Sequence, residues 1–128
     1  IQQYAEALAY KEWAIKKLGD RGEIDPDEYG GAVLDAASLA VRAKINKKAE
    51  IYLTKAEKYF TDEDDEEMLG KVYFYQGLLH QNLRNYETTI ESYAKSREAY
   101  GELDEDGTKR LLDIGNVYNR FLSNRKNS

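Results

Sequence analysis

Residues 72–100 read VYFYQGLLHQNLRNYETTIESYAKSREAY, and forty residues upstream residues 32–60 read AVLDAASLAVRAKINKKAEIYLTKAEKYF. Laid over one another, the two stretches set Ala37 on Gly77, Ala49 on Thr89, Leu53 on Tyr93 and Ala56 on Ser96. The first half returns once more, 38 residues further on, with Gly77 falling on Gly115. A period of this length marks stacked helical hairpins, in which each unit contacts mainly its neighbours. Such stacks present a long surface for holding other molecules and rarely build a buried reaction site. The repeat therefore points to binding and leaves the partner unnamed.

Working outward from the repeat gives six helical segments, at about 2–18, 28–43, 47–60, 64–83, 86–100 and 108–122. The first carries Ala5, Leu8, Ala9 and Trp13 near helical spacing and is expected to stop at Gly19, a residue suited to the left-handed position past a helix end. Asp25-Pro26-Asp27-Glu28 reads as a helix start, with Asp25 as N-cap, Pro26 at the first helical position and carboxylates where the dipole favours them. Gly19, Gly22, Gly30 and Gly31 read as a loose connection between the first and second helices. Thr61-Asp62-Glu63-Asp64 approximates a capping pattern for the fourth helix. Beyond Leu122 the polar run to Ser128 reads as a frayed tail. Period-two alternation is absent, so no strand is expected.

With 128 residues the chain is about one domain. It has no cysteine, which excludes a disulfide staple and a thiolate zinc site. The absence of cysteine does not fix the compartment: a cytoplasmic chain is the favoured expectation, and an extracytoplasmic one after signal removal is compatible with it. A net charge of −5 with 34% charged residues argues against non-specific attraction to nucleic acid or an acidic membrane. No apolar run approaches the roughly 20 residues that span a bilayer. The chain starts at Ile1 with no methionine and no leader pattern, so it reads as a processed or excised piece of a larger protein.

Gly77-Leu78-Leu79-His80 with Leu83-Arg84-Asn85-Tyr86, then Thr89, Tyr93 and Ser96, resembles a tetratricopeptide repeat. The family pattern sets small residues where the two helices of a hairpin cross and large aromatics beside them. A side chain no larger than Ala or Thr at a crossing lets helix axes approach to about 8–10 Å. In the earlier copy the same positions hold Ala37, Ala40, Ala43, Asn46, Ala49, Leu53 and Ala56; in the later copy Gly115, Tyr118 and Phe121 match the first helix only. His80 stands where an aromatic is usual, the closing proline is missing, and the period exceeds the usual length of about 34. The match is thus to the family's longer-repeat branch. The resemblance implies an all-α, right-handed superhelical stack of antiparallel hairpins, with the first helix as the second half of a repeat and the last helix as a cap.

It also implies that the first helices of the hairpins line a concave groove. The positions that would point into it are Leu34, Asp35, Ser38, Val41 and Arg42, then Lys71, Phe74, Tyr75, Leu78, Gln81 and Asn82, then Lys109, Leu112, Asp113, Asn116, Asn119 and Arg120. Apolar and aromatic contacts stand there beside amides able to bond a peptide backbone and cations suited to an acidic partner. The competing reading is that Leu34, Phe74 and Leu112 pack between units as core. Some family members clamp a chaperone's C-terminal carboxylate with Lys and Asn. Lys109 and Asn116 occupy two suitable places, but Phe74, Leu34 and Asp113 hold those of the other cations, so the clamp is incomplete.

Other chemistry is weakly signalled. His80 is the only histidine, and with no cysteine it founds neither a zinc site nor a Cys-His pair. The run Asp62–Glu67 lacks the glycine and the spaced final Glu of a calcium loop, and reads as a solvated helix start, as does Asp104-Glu105-Asp106-Gly107. No Gly-Lys-Ser/Thr sequence follows the glycines, so no phosphate loop is present. The reading is a non-enzymatic protein-interaction scaffold without cofactor or metal. It binds a protein or peptide rather than nucleic acid and does not insert in membranes. Alternatives are a peptide-sensing segment of a larger regulator, and a self-assembling adaptor whose unpaired first helix gives a homodimer.

Overall fold

The computed structural model describes residues 1–20, 22, 25–100 and 105–127, with backbone alone at 18, 20, 26, 27, 105–108, 110, 111, 121 and 125–127. It contains α1 (Gln2–Asp20), α2 (Pro26–Arg42), α3 (Asn46–Asp62), α4 (Glu66–Asn82), α5 (Tyr86–Tyr100) and α6 (Glu105–Asn127). No strand occurs among the described residues. Each helix packs on the next in sequence, and α2 also touches α4.

The three central turns are copies of one another. Lys44, Asp64 and Arg84 all take positive φ, at 59°, 55° and 60°, twenty residues apart. In each the second residue after the left-handed one's predecessor reaches back across the helix end: Ile45 N donates to Ala40 O, Asp65 N to Phe60 O and Asn85 N to His80 O, at 2.9, 3.0 and 2.8 Å. This 6→1 bond is the Schellman closure, which satisfies carbonyls that the helix end leaves open. The forty-residue sequence repeat is therefore built from two structurally alike twenty-residue helix-and-turn units.

Packing at the hairpin crossings follows volume. In the α2/α3 hairpin Ala36, Ala37, Ala40, Ala49 and Ala56 are fully buried, with Leu53 and Phe60 beside them. In the α4/α5 hairpin the residue at the Ala37 position is Gly77 and that at the Leu53 position is Tyr93. A β-carbon added to Gly77 would stand 2.6 Å from Tyr93 Cδ1. The missing methyl makes room for the larger ring. Gly70 serves Tyr100 likewise, at 2.8 Å from Cζ, and Gly30 lies against the Tyr59 and Phe60 rings. Two fully buried hydroxyls are partnered: Ser96 Oγ donates to Gly70 O at 2.7 Å, and Thr89 Oγ1 to Asn85 O at 2.9 Å.

Several boundaries differ from expectation. α1 runs through Gly19 to Asp20 rather than stopping at the glycine. Gly30 and Gly31 belong to α2, not to a connection, because the helix starts at Pro26. The cap of α4 is Asp65, whose Oδ1 accepts from Met68 N at 3.2 Å; Thr61 and Asp62 still belong to α3. α6 continues to Asn127 instead of fading at Leu122. Its Ile114 is buried, and Tyr118 sets its ring edge-on to Tyr93 at 6.4 Å. The side chains of Phe121 and of the acidic run from Glu105, and Asp104 and Ser128 themselves, lie outside the described residues.

Candidate interaction clefts

α2 and α4 run side by side, and their facing positions enclose a cleft of about 360 Å³. One turn-spaced row, Gly31, Leu34, Asp35 and Ser38, comes from α2; a matching row, Met68, Lys71, Phe74 and Tyr75, comes from α4, and Tyr100 closes one end. A second cleft of about 350 Å³ lies between α1 and α2, lined by Lys11, Ala14, Ile15, Glu28 and Ala32. Gly31 and Asp35 of α2 border both, so the two clefts lie side by side along α2. Nothing stands within 4 Å of where a Gly31 β-carbon would lie, unlike at Gly77.

The walls are apolar and the rim is charged in both signs. Lys11 Nζ pairs with Asp35 Oδ2 at 3.5 Å across the α1/α2 cleft, and Ser38 Oγ donates to Asp35 O at 2.8 Å. With both partners exposed, that ion pair contributes little to stability. Where the start of α1 meets the end of α2, Arg42 Nη2 donates to Tyr75 Oη of α4 at 3.3 Å. Its guanidinium also stands 5.8 Å from the Tyr4 ring centre, within cation–π range.

The sequence-expected groove residues divide into three sets. Lys71, Phe74 and Tyr75 meet in the α2/α4 cleft together with Leu34, Asp35 and Ser38, and Arg42 joins through Tyr75. Leu34 and Val41, expected to point into the groove, are buried in the core instead, each 4% exposed, although Leu34 also borders the cleft. Leu78 is half-buried against the same core. Asn82 and Gln81, expected to meet a ligand backbone, make internal bonds: Asn82 Nδ2 donates to Val41 O at 3.1 Å, and Gln81 Oε1 accepts from Tyr93 Oη at 3.2 Å. Lys109, Asn116, Asn119 and Arg120 are exposed along α6, with Leu112 and Asp113, and none borders either cleft.

Gly31, Met68 and Tyr100 were missed as lining residues. Gly31 had a signal, since it falls on Lys71 at the forty-residue offset, and Lys71 was assigned to the groove. His80 is half-buried in α4, with Nδ1 shielded from solvent.

A partly exposed network ties α1 to α3, and the Tyr93–Gln81 bond ties α5 to α4. Glu12 of α1 accepts from Tyr52 and, at 3.0 Å, from Lys48, both on α3. Burial pushes the Glu12 carboxyl up, but the Tyr52 and Lys48 bonds and the Lys48 charge together outweigh it and hold it below its ordinary value. The Tyr52 phenol is pushed up to about 12, by burial first and then by Glu12. Burial likewise pushes Tyr93 up to about 12.

No family model, characterised protein or solved structure matches this chain. Among the described residues, no helix is long and apolar enough to cross a membrane, and no three of His, Cys, Asp and Glu are grouped to hold a metal ion. The described residues define the class: six helices packed on their neighbours, with two adjacent clefts bordered by α2.

Proposed function

We propose that the chain is a non-enzymatic interaction scaffold of tetratricopeptide-like design, with its hairpins stacked as a right-handed superhelix, and that it holds an extended or helical peptide in the two adjacent clefts bordered by α2. The observation that carries the reading is Gly31. An interior helical glycine costs about 1 kcal/mol relative to alanine. Gly77 and Gly70 offset that cost by admitting Tyr93 and Tyr100, whereas Gly31 faces open space at the point the two clefts share. A bare backbone there lets a ligand approach closely. Phe74, Tyr75 and Leu34 supply apolar contact, while Lys71, Lys11, Asp35 and Glu28 supply paired charges that suit a peptide of mixed charge.

A peptide-display library selected on the chain tests this. Selected peptides should bind wild type and be lost on Gly31→Leu, which fills the cleft and leaves the melting temperature undiminished. A library that yields no binder, or binders indifferent to Gly31→Leu, would refute the assignment.

A further inference from the structure

The face of α1 turned away from α2 carries a stripe that the fold does not use. Glu6, Tyr10, Trp13 and Lys17 lie within about 60° of one another around the helix axis. They stand opposite Leu8, which is buried against α2. Tyr10 is 70% exposed and Trp13 57%, with ring centres 6.0 Å apart. Large aromatics left out together mark an interaction surface more often than scattered exposure does. Ala9 beside them keeps the surface low enough for another helix axis to approach.

The order of residues in the stripe decides what can cover it. Reading from Glu6 gives acid, aromatic, aromatic, base at spacings of four, three and four, which becomes its own complement when the direction is reversed. An antiparallel copy crossing midway between Tyr10 and Trp13 sets Tyr10 against the second copy's Trp13. The same crossing sets Glu6 against its Lys17, and both contacts occur twice. We infer that α1 is an isologous homodimer interface, in which two copies of this chain pair through Tyr10 and Trp13 with reciprocal Glu6–Lys17 contacts. Among the described residues, Glu6 takes a 3.3 Å bond from Gln2 on its own helix, which leaves the carboxylate able to meet a partner. Lys11 and Ile15, which border the cleft, lie on the other side of α1, and Ala14 stands between them and the stripe. Dimerisation thus leaves both clefts open and presents two of them, a gain in avidity for a repeated ligand.

A single helix pair falls in the small-interface class, so association is weak, and measurement should span about 1 µM to 1 mM. Sedimentation velocity on the chain should show a monomer–dimer equilibrium in that range. Trp13 is the only tryptophan, so its emission should shift to shorter wavelength as concentration rises. Glu6→Lys alone and Lys17→Glu alone each create two like-charge contacts and should weaken association about tenfold. An equimolar mixture of the two variants makes two complementary contacts in the heterodimer and should recover wild-type association. All these side chains are exposed, and unchanged circular dichroism would confirm that each variant folds. The inference is overturned by a wild-type chain that stays monomeric at 1 mM with concentration-independent emission, by single variants that associate like wild type, or by a mixture that fails to recover.

Discussion

Alanine at Gly77 and alanine at Gly31 should change stability in opposite directions, although both glycines sit inside helices. Helix propensity alone favours each replacement by about 1 kcal/mol. At Gly31 nothing within 4 Å opposes the new methyl, so the protein should gain about 0.5–1 kcal/mol. At Gly77 the methyl would stand 2.6 Å from Tyr93 Cδ1, about 1 Å inside ordinary carbon contact. Tyr93 cannot retreat easily. It is fully buried, its hydroxyl is bonded to Gln81, and Phe74 and Tyr118 flank its ring at 5.9 and 6.4 Å. Overpacking of this kind costs about 1–3 kcal/mol, leaving a net loss of up to about 2 kcal/mol after the propensity gain. With roughly 3–5 °C per kcal/mol for a chain of this size, Gly77→Ala should lower the melting temperature while Gly31→Ala raises it. In a Tyr93→Leu background, which restores the alanine–leucine pair found at Ala37 and Leu53, Gly77→Ala should become stabilising. Thermal and urea unfolding of the four variants of this cycle supply the numbers. Equal stabilisation by alanine at both glycines would refute the volume-exchange argument.

Three further outcomes follow from particular residues. Glycine at Lys44 or Arg84 relieves a left-handed backbone that side chains disfavour, and each should add about 0.5–1 kcal/mol in urea unfolding. Between pH 10 and 12 the Tyr93 phenol is ionised in the unfolded chain and protonated in the folded one, so stability should fall with rising pH by about 1.4 kcal/mol per unit. Tyr93→Phe should remove that share of the slope, seen by unfolding at each pH. Glu12 has the opposite sign: its lowered value stabilises the fold above the ordinary carboxyl range and is lost as pH falls through it. Glu12→Gln should therefore flatten the acid limb of the stability curve.

Helix number, order and approximate extent were legible because the forty-residue offset compares like with like and needs no capping signal. The turns were harder to read. Lys44, Asp64 and Arg84 take a conformation usually advertised by glycine, and no glycine stands there, so the twenty-residue half-period stayed hidden. Conversely, Gly30 and Gly31 were misread as loop, although both are helical. Gly30 lies against the Tyr59 and Phe60 rings, a contact that only three-dimensional packing reveals, whereas Gly77 was already read as a small residue at a helix crossing. For the cleft, the family resemblance set Lys71, Phe74 and Tyr75 on one face of α4, and the structure brings the three to one cleft. The resemblance could not show that Asn82 and Gln81 are spent on Val41 and Tyr93, because an amide's partner depends on the neighbouring helix's register. The alternation at Leu34 and Val41 also conceals that α4 covers part of the α2 face.

The most direct test of the central claim is amide chemical-shift mapping of the isotope-labelled chain with its tightest library-selected peptide. Shifts concentrated at Gly31, Asp35, Ser38, Lys71 and Tyr75, and abolished by Gly31→Leu, are the predicted result. Shifts confined to α3, α5 or α6, with the α2/α4 cleft unmoved, would contradict it.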